Sequence, residues 1–129
     1  MPFASSAVLR GQRILVAEDS YLFAQELAEV LEREGADVIG PVATVDDAYH
    51  LVLTAFLDAA VLDVNLRGQM IWPVSDLLFR RNVRLVFATG YAAALIKKRY
   101  NQAQVAEKPA AARLVARLLS VAAPAAEGL

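Results

Sequence analysis

Short apolar runs alternate along this chain with longer stretches in which apolar residues return every three or four positions. Five runs have the length and composition of strands: Ile14–Ala17, Asp37–Val42, Ala60–Asp63, Leu85–Thr89 and Gln104–Glu107. The first, third and fourth are almost wholly apolar, as parallel strands covered on both faces are; the second and fifth are more broken, as edge strands are. Between them the helical period takes over. In Ser20–Glu34 the residues Phe23, Leu27, Val30 and Leu31 share one stripe, and in Val45–Leu57 Ala48, Leu51, Val52 and Ala55 do. Thr44, followed three residues on by Asp47, reads as a capping box at the start of the second helix. A third, short helix spans Pro73–Arg81, with Pro73 suited to a first turn. The fourth, Ala93–Tyr100, is alanine-rich and shows little contrast between faces. The last, Ala110–Ala122, lines up Ala111, Leu114, Val115, Leu118 and Leu119.

Strands joined by helical crossovers of the usual right hand predict an α/β fold. It is a flavodoxin-like, doubly wound, five-stranded parallel sheet of order 2-1-3-4-5 with about five helices, and its crevice lies at the carboxyl ends of the first and third strands. The 129 residues suit one domain, with 1–12 as an N-terminal extension, 13–122 as the domain and 123–129 as a flexible tail. Apolar residues at 57% against 21% charged, and a mean hydropathy of +0.41, fit a sheet buried on both sides. A net charge of -1 gives no electrostatic reason for nucleic acid or an anionic membrane as partner. The absence of cysteine excludes disulfides, thiolate metal sites and a cysteine nucleophile. No run has the length of a signal peptide core or a membrane span, so a cytoplasmic location is expected.

The polar residues that interrupt the apolar runs fall where the crevice should be. Glu18 and Asp19 end the first strand, Asp63 the third and Thr89 the fourth, and Lys108 follows the fifth. Crowded carboxylates repel unless a cation sits among them. All-oxygen ligands with room for water and phosphate suit Mg²⁺. A carboxylate is also a competent phosphoryl acceptor. Asp63 is then the central acceptor, with Glu18 and Asp19 holding the metal, Lys108 pairing with phosphoryl oxygens and Thr89 donating a hydrogen bond to one of them.

The segments ILVAEDS, VLDVNL, FATGY and EKP, in this order and spacing, resemble the receiver domains of bacterial response regulators over about residues 13–122. The FATGY segment, at 87–91, is similar to that of a single-domain subgroup. The resemblance implies a metal held by Glu18, Asp19, Asp63 and the backbone carbonyl of Asn65, with Thr89 and Lys108 on the phosphoryl group. It gives Gly90 and Pro109 structural roles, the Lys108–Pro109 bond being commonly cis in the family. It implies a phosphohistidine donor, either a histidine kinase or a histidine phosphotransferase. It also implies a downstream protein docking on the face of the fourth helix, fifth strand and fifth helix. In function it implies a stand-alone phosphorelay receiver that catalyses only its own phosphorylation and dephosphorylation.

Two departures stand out. Val105 occupies the place where many receivers carry an aromatic switch residue, and the loop LRGQM lacks their frequent proline. Without that aromatic, phosphorylation is expected to read out through Thr89 and the stretch from Gly90 to Tyr100. The competing readings are a phosphorylation-independent docking module of the same fold and an aspartyl-phosphate hydrolase. Hydrolases of the haloacid-dehalogenase type place D-x-D after the first strand, a pattern this chain lacks. His50 and the run Lys97–Arg99 read as surface residues, and Trp72 and Tyr91 as aromatics near the crevice.

Overall fold

The computed structural model describes residues 8–90, 93–108 and 111–121. In chain order the elements are β1 (Arg13–Ala17), α1 (Tyr21–Arg33), β2 (Asp37–Val42), α2 (Val45–Thr54), β3 (Ala59–Leu62), β4 (Asn65–Leu66), β5 (Gln69–Met70), α3 (Trp72–Arg80), β6 (Arg84–Thr89), α4 (Ala93–Arg99), β7 (Gln104–Glu107) and α5 (Ala111–Val121). The five longer strands form one parallel sheet of order β2-β1-β3-β6-β7. That is the predicted flavodoxin-like order 2-1-3-4-5, counted without the two-residue strands β4 and β5.

Successive side chains of a strand face opposite sides of the sheet, which sorts the apolar runs into two cores. Leu15, Leu62 and Phe87 meet Val52, Leu78 and Ile96 on the side of α2, α3 and α4. Ile14, Val16, Val61 and Val86 meet Leu27, Leu31, Val115 and Leu119 on the side of α1 and α5. At about 1.5–3 kcal/mol for each large side chain removed from water, these layers supply the main drive to fold.

Local chemistry sets the ends of the elements. The Thr44 hydroxyl accepts the Asp47 N–H at 3.1 Å, and Asp46 and Asp47 sit in the first turn of α2, where the helix dipole favours them. At its other end α2 stops at Thr54, short of the predicted Leu57. Arg13 accounts for this: its guanidinium donates to the Phe56 carbonyl at 2.9 Å and its N–H to Asp58 at 2.8 Å, drawing the chain out toward β3.

Three features depart from the sequence pattern. Within residues 8–12 Leu9 packs into the domain, fully buried in the second core, with its N–H donating to the Glu34 carbonyl at 2.8 Å. Gly35 permits this approach: its φ is +97°, and a Cβ there would lie 2.8 Å from the Arg10 Cα. In α5 the buried face runs through Ala112, Val115, Ala116 and Leu119, while Leu114, predicted to face inward, is 38% exposed. Small alanines let α5 lie close to α1 and β6, which turns Leu114 out. Finally, β4 and β5 form an antiparallel hairpin closed by Arg67 and Gly68, both with positive φ (52° and 88°), as a two-residue type I′ turn requires.

Candidate functional site

A parallel sheet delivers the carboxyl ends of all its strands to one edge. Here the residues just past the ladders are pinned there by main-chain bonds. The Glu18 N–H donates to the Val42 carbonyl at 2.8 Å, the Asp63 N–H to the Ala17 carbonyl at 2.9 Å, and the Lys108 N–H to the Thr89 carbonyl at 3.1 Å. The side chains of Glu18, Asp63 and Lys108 therefore start from fixed points at the ends of β1, β3 and β7, on one edge of the sheet.

Glu18, Asp19 and Asp63 each bring a carboxylate oxygen within 4.8 Å of the others. Glu18 is 3% exposed and Asp63 8%. The Lys108 ammonium lies between them, 2.8 Å from Glu18 Oε1 and 3.0 Å from Asp63 Oδ2. Backbone donors hold the remaining oxygens: Ser20 N–H on Glu18 Oε2 at 2.9 Å, Val64 N–H on Asp63 Oδ1 at 2.7 Å, and Arg67 N–H, from the hairpin turn, on Asp19 Oδ2 at 2.9 Å. Burial pushes the Glu18 carboxyl above its ordinary range, and the neighbouring charge of Asp63 adds to this against the opposing pull of Lys108 and the Ser20 N–H. Burial would also lower Lys108, but its bonds to Glu18 and Asp63 outweigh that and hold the ammonium above its ordinary value.

This donor set fits a hard divalent ion. All its ligands are oxygens, and three carboxylates face one ammonium. Glu18 Oε1 is buried, with the Lys108 ammonium as its ion-pair partner at 2.8 Å. Asn65 opens β4, and its side-chain oxygen accepts the Gly68 N–H at 2.8 Å. Thr89 ends β6 and is buried.

The other expected positions are distributed as follows. Gly90 is exposed and does not use a left-handed backbone. Tyr91 and Pro109 lie outside the described residues, and with them the isomer of the Lys108–Pro109 bond; the cis bond seen is Gly40–Pro41. Val105 is half-buried against the first core. His50, Lys97 and Lys98 are exposed. Trp72 is half-buried against Phe87 and Tyr100. Nothing in the sequence marks the three backbone donors, and Phe23, read there only as part of the α1 stripe, brings its ring centroid 4.7 Å from the Lys108 ammonium.

No family model matches the chain. The transcriptional regulatory protein PdtaR of Mycobacterium tuberculosis is 31% identical over 90 residues, which is 69% of this chain and 43% of that protein. The response regulator PhyR from Brucella abortus superposes with a TM-score of 0.76 at 24% identity, over 91% of this chain and 50% of that one. SdrG from Sphingomonas melonis superposes with a TM-score of 0.75 at 37% identity, over 88% of this chain and 95% of SdrG. The chain thus spans less than half of PdtaR, half of PhyR and nearly all of SdrG. With this sheet order and these likenesses, the chain belongs to the response-regulator receiver domains.

Proposed function

We propose that this receiver takes a phosphoryl group onto Asp63 from a phosphohistidine donor, with Mg²⁺ held by Glu18, Asp19, Asp63 and the Asn65 main-chain carbonyl. The carrying observation is the gathering of the three carboxylates within 4.8 Å, with the Lys108 ammonium 3.0 Å from Asp63. In the transfer the donor's P–N bond breaks, a P–O bond forms to an Asp63 oxygen, and the imidazole leaves with the electron pair. When bound, the metal neutralises charge on the transferring oxygens. Lys108 turns from Asp63 to the phosphoryl oxygens, and the Thr89 hydroxyl donates to one of them. The chain turns over no other substrate on this reading. It acts with a histidine kinase or histidine phosphotransferase in the cytoplasm, and it signals through the face of α4, β7 and α5. The segment 87–91 supports a kinship with the FATGY subgroup. SdrG has been described in a BeF3-activated conformation, and beryllofluoride imitates an aspartyl phosphate.

The test is incubation with acetyl phosphate and Mg²⁺, read by mass spectrometry. One base-labile phosphoryl group is expected on the wild type and none on Asp63→Asn; equal uptake by that variant would refute the assignment. Mg²⁺ alone is expected to raise the melting temperature. At ten times its dissociation constant the gain is about 1.4 kcal/mol, or several degrees for a domain of this size. Asp19→Asn should blunt the rise. A melting curve indifferent to saturating Mg²⁺ would favour the phosphorylation-independent docking module instead.

A further inference from the structure

We propose that Phe23 is a positioning residue for Lys108, its ring face keeping the ammonium at the crevice while the carboxylates are engaged elsewhere. This rests on the phosphoryl-acceptor reading above. Among the described residues three groups lie against the Lys108 ammonium: Glu18 Oε1 at 2.8 Å, Asp63 Oδ2 at 3.0 Å and the Phe23 ring centroid at 4.7 Å. The first two contacts are carboxylate oxygens, the same atoms that a divalent ion binds and a phosphoryl group esterifies. The third is a π face, which a hydrated Mg²⁺ has no reason to claim. As carboxylate contacts are given up, the ring remains as the partner that holds a flexible four-carbon side chain over the site rather than in solvent.

The ring is placed to do this. Phe23 lies in the first turns of α1, just beyond Glu18 and Asp19, and it packs against the core cluster that contains Leu27 and Ala106. That packing restrains the ring and removes water from its back, where a cation–π contact gains strength. With the buried Glu18 just past β1, Asp63 just past β3 and Phe23 on α1, Lys108 is in contact with residues from three elements at once. A core role alone asks only for an apolar side chain of this size at 23. The positioning role asks for an electron-rich face.

That difference is the test. Phe23→Leu keeps an apolar side chain, Phe23→Tyr keeps the ring, and a series of fluorinated phenylalanines at 23 drains the ring face at nearly constant shape. Phosphorylation by acetyl phosphate is expected to slow about 2- to 30-fold in Phe23→Leu, to fall stepwise with each added fluorine, and to recover in Phe23→Tyr. In the metal-free, unphosphorylated protein the Lys108 ε-methylene proton resonance should be shifted upfield by the ring and should lose that shift in Phe23→Leu. A rate that follows melting temperature but not fluorination would show that Phe23 only packs, and would overturn the proposal. So would an unshifted Lys108 resonance in the wild type. If the wild type takes up no phosphoryl group while the resonance is shifted, the phosphoryl-acceptor reading fails and the Phe23–Lys108 contact stands.

Discussion

Lys108→Met is expected to destabilise the metal-free protein by about 3 kcal/mol at neutral pH. Methionine keeps most of the stem's bulk and removes the charge. Glu18 and Asp63, 3% and 8% exposed, would then face each other with no cation between them. Breaking a buried ion pair by removing one partner costs about 3–5 kcal/mol. The lower end applies because the lysine side chain is 23% exposed and water screens part of the interaction. The loss has a specific cure. Mg²⁺ bound by the same carboxylates supplies the missing positive charge, so the gap between wild type and variant should narrow at saturating Mg²⁺. Glu18→Gln added to Lys108→Met should recover part of it without metal. Urea unfolding of the wild type and both variants, with and without Mg²⁺, measures these differences. Equal midpoints for wild type and Lys108→Met in the absence of metal would mean that the ammonium is not what makes the carboxylate cluster tolerable.

The sheet and the acidic edge were legible because both follow from one pattern. Runs such as Leu15–Ala17 and Ala60–Leu62 can be strands buried on two faces and little else, and parallel strands must present whatever follows them to the same edge. Glu18, Asp63 and Lys108 are identified by type and position together. What sets their orientation was not legible, since Ser20, Val64 and Arg67 act through N–H groups that almost every residue carries. The hairpin of β4 and β5 escaped for another reason: two-residue strands are too short to show a period, and its signature is the backbone angle of Arg67. Leu9 ends the short run Ala7–Leu9, too brief to show a period, and only the folded chain shows it filling the second core. The alanines of α4 gave little contrast between faces, and the helix is held by the buried Ile96 at its centre and by Arg99 and Tyr100 at its far end.

Tyr100→Ala is expected to cost about 3 kcal/mol, with the loss centred on α3 and α4. Tyr100 follows α4 and supplies an aromatic ring to the side of the sheet where β7 offers only Val105. The ring stacks on Phe87 at 5.8 Å, meets Trp72 edge-on at 6.0 Å and lies 4.4 Å from Phe79. Phe87 is two residues before Thr89 on β6, so the cluster adjoins the strand that leads to the phosphoryl site. The phenol tip is held as well: it shares a hydrogen bond with the fully buried Ser75 hydroxyl at 2.7 Å and donates to Asp76, which also pairs with Arg99 at 3.0 Å. Tyr100→Phe separates the parts. It keeps the ring and removes the hydroxyl, at a cost of about 1–2 kcal/mol. The remaining difference from Tyr100→Ala measures the aromatic packing.

Acid adds a sign that packing alone does not predict. Burial would raise the Asp76 carboxyl, but hydrogen bonds from Tyr100 and Arg99 hold it below its ordinary value of 3.8. A depressed carboxyl contributes stability that is present above its unfolded pKa and is lost as pH falls through the folded one. The acid limb of the wild-type stability curve should therefore be steeper than that of Tyr100→Phe, the two converging as Asp76 is protonated in both. Melting temperatures from neutral pH down to the Asp76 range, with amide exchange over 93–99 at neutral pH, check this. Parallel curves with unchanged exchange would mean that the phenol hydroxyl does not tie α4 to α3.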